Sequence, residues 1–183
     1  MEVPVLGVDR MTRNRTATPA IPCIFLQDAG GDQCVTDTGG YQTWDTLVFK
    51  TSDFQYVLDD SKITILRGHS GYYEITFEVS YQTIQSLREV KTSLYKNGVE
   101  LVNSLVHTFI TGAAGKPTYR DEHVLHYIVL LNKDDYVQIK TVGSGSDVCT
   151  IAETSRLIIK ALPMDGWDNN RGGMKMVRGG VGR

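Results

Sequence analysis

The 183-residue chain carries 19 basic and 21 acidic side chains, a formal charge of −2, and is 41% hydrophobic. That balance excludes a disordered, collagen-like or membrane-embedded polypeptide and fits an ordinary globular domain. A chain of this length buries roughly 70% of its unfolded surface, so neither metal nor disulfide staples are required. Its three cysteines, Cys23, Cys34 and Cys149, have no metal-ligand spacing and cannot all pair within one chain, so they are expected to be reduced, mostly buried thiols.

Residues 1–20 carry Arg10, Arg13 and Arg15 against Glu2 and Asp9, a local charge of +1. They lack the apolar run of roughly 7–15 residues that marks a secretory signal, and no stretch approaches the length of a membrane span. Synthesis in a reducing cytoplasm is expected, which makes the sequon Asn14-Arg15-Thr16 a chance match.

From residue 21 the apolar runs are short, rich in β-branched and aromatic residues, and bounded by Gly, Asp, Asn or Ser, as strands are. In order they are Pro22–Gln27, Asp45–Thr51, Lys62–Leu66, Gly71–Tyr81, Val90–Lys96, Val99–Thr108, His123–Leu131, Tyr136–Val142 and Arg156–Leu162. In Gly71–Tyr81, Tyr73, Ile75, Phe77, Val79 and Tyr81 alternate with Tyr72, Glu74, Thr76, Glu78 and Ser80, giving one apolar and one largely polar face. Asn97-Gly98 predicts a type I′ hairpin between Leu94–Lys96 and Val99–Leu101, because both residues adopt positive φ cheaply. Asn132-Lys133-Asp134-Asp135 predicts a second hairpin. The fold class that follows is all-β, an antiparallel sandwich or barrel over residues 21–163, with exposed loops at Gly112–Tyr119 and Gly143–Asp147.

Residues 164–183 hold four cations against two anions and six of the chain's 18 glycines, and predict an extended basic arm. The body between the arms therefore sums to −5. Basic ends on an acidic body suit docking onto an acidic protein surface or nucleic acid. The C-terminal arm lacks the charge density and aromatic interleaving of a nucleic-acid stripe, so a protein lattice is the expected partner. Trp167, Arg171, Lys175, Met176 and Arg178 are its docking candidates.

Strand His123–Leu131 is apolar on both faces, with Leu125, Tyr127, Val129 and Leu131 on one side and Val124, Ile128 and Leu130 on the other. A single sandwich core covers only one of these, so the second calls for a loop or, as we read it, another subunit.

The order of Gly71-Tyr72-Tyr73-Glu74-Ile75, Leu94-Tyr95-Lys96-Asn97-Gly98, Leu131-Asn132-Lys133-Asp134-Asp135-Tyr136-Val137-Gln138-Ile139 and Leu157-Ile158-Ile159-Lys160-Ala161-Leu162 resembles the tumour-necrosis-factor and complement globular-head superfamily. The resemblance runs from Ile21 to Leu162. It implies a jelly roll, assembly as a homotrimer, and kinship with the decorations, fibres and spikes of bacteriophage and viral particles. It also implies that the inner sheet turns one face to the threefold axis. The matching positions are Glu74, Thr76 and Glu78 on one strand, Val124, His126 and Ile128 on the second, and Arg156, Ile158 and Lys160 on the third. Glu74 and Glu78 are expected to meet Arg156 and Lys160 within or between subunits, since a buried carboxylate needs a partner. With no signal peptide, anchor or collagen stalk, the expected role is a virion protein made in the host cytoplasm: a capsid decoration or cement protein, or a short head fibre, attached by its arms. The alternative is a module that binds a host receptor or carbohydrate through the Gly112–Tyr119 and Gly143–Asp147 loops.

Candidate catalytic and metal sites are weak. His123 and His126 are spaced as H-x-x-H but point to opposite faces of a strand and cannot chelate one ion together. His69 and His107 have no nucleophile beside them, and Gly143-Ser144-Gly145-Ser146 lacks a nucleophile elbow's strand-to-helix context. Asp59-Asp60 and Asp134-Asp135 read as turn formers rather than calcium ligands, and Trp44 as packing at the core's edge. Neither an enzyme, a cofactor nor a metal is expected.

Overall fold

In a computed structural model the described residues are 21–30, 33–58, 60–66, 70–83, 87–110, 119–145, 147–151 and 153–163. Both arms, and with them Trp167, Arg171, Lys175, Met176 and Arg178, lie outside them, as do His69, Asp59, Ser146 and most of the 112–119 loop.

The described residues form strands and turns, in two antiparallel sheets of seven strands each. The first sheet contains β1 (Cys23–Asp28), β2 (Cys34–Val35), β4 (Thr46–Lys50), β7 (Gly71–Thr83), β11 (Tyr119–Leu131), β13 (Val148–Thr150) and β14 (Ser155–Ala161). Its order is β2-β13-β7-β14-β1-β4, and β11 lies along the other edge of β7. The second contains β3 (Gly40–Tyr41), β5 (Phe54–Gln55), β6 (Ile63–Ile65), β8 (Arg88–Lys96), β9 (Val99–Glu100), β10 (Val106–Ile110) and β12 (Tyr136–Gly143). Here the order is β10-β8-β12-β6-β5, with β3 beside β12 and β9 beside β8. The expected all-β jelly-roll sandwich is the observed one.

Alternation sets the packing. Tyr73, Ile75, Phe77, Val79 and Tyr81 of β7 are fully buried and meet Ile24, Leu26, Leu157, Ile159, Val90, Leu94, Val137 and Ile139 in one core. Trp44 lies inside it, fully buried rather than at the edge. The two predicted hairpins form. Asn97 (φ 52°) and Gly98 (φ 79°) both take the left-handed conformation that a type I′ turn demands. In the second hairpin the Asp135 carboxylate accepts the Asn132 amide at 2.7 Å and the Asn97 side-chain amide at 2.6 Å. The Lys96 ammonium also pairs with Asp135, at 2.8 Å. Asp135 therefore serves as a turn former.

Two further expectations need correction. The run Val99–Thr108 is not one strand but β9 and β10 with a turn between them, where Asn103 adopts φ 61°. The Ser104 hydroxyl stabilises that turn by donating to the Leu101 carbonyl at 2.7 Å and accepting the Leu94 amide at 3.1 Å. The cysteines are not all reduced: Cys34 and Cys149 form a disulfide, and of the three only Cys23 is free. Strands β2 and β13 pair antiparallel and set Cys34 directly opposite Cys149, a juxtaposition that spacing along the chain does not reveal. Disulfides persist in oxidising surroundings, so the argument from reduced thiols to a reducing compartment loses its basis.

Candidate oligomer interface

Strand β7 runs between β11 and β14, and the pairing registers align the three. Glu78 lies opposite both Val124 and Arg156, Thr76 opposite His126 and Ile158, and Glu74 opposite Ile128 and Lys160. All nine residues singled out in the sequence thus occupy three rows on the sheet face that points away from the core. The alternation that buries Phe77 also turns Glu74, Thr76 and Glu78 outward.

Both faces of β11 behave as its composition requires. Leu131 is fully buried, and Leu125, Tyr127 and Val129 pack against the core. On the other side Val124 is 45% and Ile128 61% exposed in the single chain. His123 points inward and is 1% exposed, whereas His126 faces outward and shares a 2.9 Å hydrogen bond between its Nδ1 and the Thr76 hydroxyl. The two histidines therefore lie on opposite sides of the sheet.

The charges on this face are arranged in adjacent columns, carboxylates on β7 and cations on β14. Glu78 and Arg156 form an ion pair within the chain; Glu74 and Lys160 are cross-strand neighbours. At the Glu78 end a cavity of about 550 Å³ is lined by Phe25, Gln27, Asp121, Glu122, Glu153 and Arg156, among others. A hydrogen bond to Glu78, more than burial, raises the Glu122 carboxyl above its ordinary range, against the opposing pull of Arg156.

Strands β1 and β4 widen the face with residues that sequence reasoning did not assign to it. Phe25 lies opposite Ile158 and Phe49 opposite Phe25, so the middle row continues His126–Thr76–Ile158–Phe25–Phe49. Tyr72 and Leu130, each about half exposed, add a further apolar row. The period-2 pattern of Cys23–Asp28 already shows which side Phe25 takes. Only the strand order shows that this side adjoins Ile158.

The two ends of the face differ. The Ala161 amide donates to the Pro22 carbonyl and the Leu162 amide to the Tyr72 carbonyl, both at 2.8 Å, so the residues bordering the two arms emerge together at the Tyr72 end. The Gly143–Asp147 loop sits at the opposite end, where the Thr83 hydroxyl donates to the Asp147 carboxylate at 2.6 Å. Eleven residue steps along β7 take the chain from Tyr72 to Thr83, roughly 35 Å of strand. Among the described residues no group of three or more His, Cys, Asp or Glu side chains is placed to hold a metal ion.

Two seven-stranded antiparallel sheets with these connections define a tumour-necrosis-factor-like jelly roll. Among solved structures the chain is similar to the crystal structure of murine APRIL at pH 8.0, a jelly-roll protein of the tumour necrosis factor family. The match has a TM-score of 0.54 at 10% identity and covers 78% of this chain and 100% of that one. No family model matches the sequence, and no curated protein does. The likeness is one of fold.

Proposed function

We propose that this chain is a non-enzymatic, homotrimeric structural protein of a virus or bacteriophage particle. In this reading it is a capsid decoration or cement protein, or a short head fibre. The observation that carries the trimer is the outward face of β11, β7 and β14, where Val124 and Ile128 stand open to water beside an ordered grid of carboxylates and cations. Covering that face with sister copies removes apolar area from water at about 25 cal/mol per Å², and the Glu78–Arg156 pair already formed within the chain reduces the charge left to desolvate unpaired. The fold shared with murine APRIL supports the same arrangement.

The virion assignment draws on the resemblance to particle-borne jelly rolls and on the two basic arms. The chain is made in the host cytoplasm and meets the outside only at lysis, and Cys34 and Cys149 join once the surroundings are oxidising. The residues bordering both arms lie together at one end of the domain, and in this reading the arms fasten to the particle lattice, with Trp167, Arg171, Lys175, Met176 and Arg178 as contacts. The opposite end, with the Gly143–Asp147 loop, then faces outward, which favours a receptor or glycan contact there as the second reading.

Sedimentation of the full chain tests the assembly: a trimer at micromolar concentration is expected, and a stable monomer overturns the proposal. Charge reversal at both Glu74 and Glu78 should dissociate the trimer, and unaltered mass would reject this face as the axis. Deleting residues 164–183 should abolish binding to the parent particle and leave the trimer intact. Binding retained by the truncated chain would reject the arm, and a glycan array on that chain decides the second reading.

A further inference from the structure

His123 is the most deeply placed ionisable base among the described residues and has no role in the outward face. It sits on β11, 1% exposed, where the two sheets meet. Its Nδ1 shares a 2.8 Å hydrogen bond with the Thr92 hydroxyl of β8, in the opposite sheet, while its Nε2 is buried with no hydrogen-bond partner among the described residues. Tyr81 of β7 packs edge-on to the imidazole, with ring centroids 5.2 Å apart, and shares hydrogen bonds with Thr92 at 2.8 Å and Thr141 of β12 at 2.6 Å. A single polar cluster, His123–Thr92–Tyr81–Thr141, thus ties the edge strand β11 to the second sheet.

Among the described residues, and apart from its edge contact with β10, β11 is otherwise tied toward the second sheet only in its later half. There Lys96 donates to the Leu130 carbonyl and the Tyr127 hydroxyl to the Val102 carbonyl, each at 2.8 Å, so His123 is the clasp of the earlier half. The strand pairs on one side only, with β7. Its other edge approaches β10, which it meets through the hydroxyl of Thr108 donating to the Asp121 carboxylate.

We propose that His123 is an acid-sensitive latch, a neutral imidazole that clasps β11 to the second sheet and, once protonated, forces the β10–β11 edge of the sandwich to open. A charged imidazole here places a net charge in an apolar core and an N–H donor at Nε2 with nothing to accept it. Burial already holds the group well below the ordinary histidine range, at about 4, with Asp121 pulling upward and His107 of β10 pushing downward. Tyr81 stays un-ionised throughout, its phenol pushed up to about 12 by burial. The unfolded chain, with an ordinary histidine, therefore takes up a proton before the folded one does. Stability is lost as pH falls from about 6.5 towards 4. The device does not require the trimer and operates in a single copy.

The test uses the full chain. Denaturant unfolding between pH 7.5 and 4 should show the unfolding constant rising by roughly two orders of magnitude through this one group, and His123→Gln should flatten that rise. Amide exchange, corrected for intrinsic rates, should show protection lost in β10 and β11 at pH 5 while β1 and β14 keep theirs. If His123→Gln does not fold, the imidazole signal of His123 and the exposed variant His107→Asn decide: a midpoint near 4 that moves up in His107→Asn supports the latch. A midpoint near 6.5, an unfolding constant that does not change with pH, or exchange that loosens equally in both sheets overturns it.

Discussion

The two faces of β7 and β11 are made by the same residues in strict alternation, yet they solve opposite problems. Inward, Phe77, Tyr81 and His123 are buried and packed, and the polar atoms of Tyr81, Thr92 and Thr141 answer one another. Outward, Glu74, Glu78, Arg156 and Lys160 sit among Val124 and Ile128, and the apolar surface there lies open in the single chain. In the trimer we propose, the outward face, with charges partly paired and apolar residues uncovered, serves association, while the inward face, packed except for the His123 Nε2, serves folding.

Substitutions should separate the two. The largest effect lies outside both faces: replacing Cys34 and Cys149 by serine opens a bridge spanning 115 residues, which in the chain-entropy model costs about 4–5 kcal/mol. Chemical denaturation with and without reductant measures it. On the inward face Phe77→Ala should cost about 3–5 kcal/mol in the same assay, as a cavity in a core with no slack. Asp147→Asn comes next. Burial opposes its ionisation, but hydrogen bonds from Thr83 and Arg88 outweigh that and hold the carboxyl below its usual range. Its contribution, about 1.5 kcal/mol for bonds to a charged group, is present above the ordinary carboxylate value and lost as pH falls through the lowered one. Ile128→Ala, on the outward face, should alter single-chain stability by no more than about 0.5 kcal/mol while measurably weakening self-association by sedimentation. Equal effects of Phe77→Ala and Ile128→Ala on folding would erase the distinction between the faces.

The smallest effect is the pH response at the end of the face. Glu122 is raised first by its hydrogen bond to Glu78. Its contribution is fully present below the ordinary glutamate value and fades as pH rises through the raised one. This sign is opposite to that of His123, whose contribution fades as pH falls. Glu122→Gln should remove the first dependence and leave the second, which unfolding curves at several pH values resolve.

Alternation is a local property, so the sequence alone determined which side of each long strand faces the core. Tyr73–Tyr81 and both sides of His123–Leu131 were legible, as was the Asn97-Gly98 turn, whose φ angles depend on two residues. The strands β2, β3, β5 and β13 were not, because two or three residues carry no period. Adjacency belonged to the tertiary structure. Only the strand order sets β7 between β11 and β14, brings Phe25 and Phe49 beside Ile158, and places Cys34 against Cys149. Periodicity tells a residue which way to point, but what it meets there depends on contacts between segments far apart in the chain.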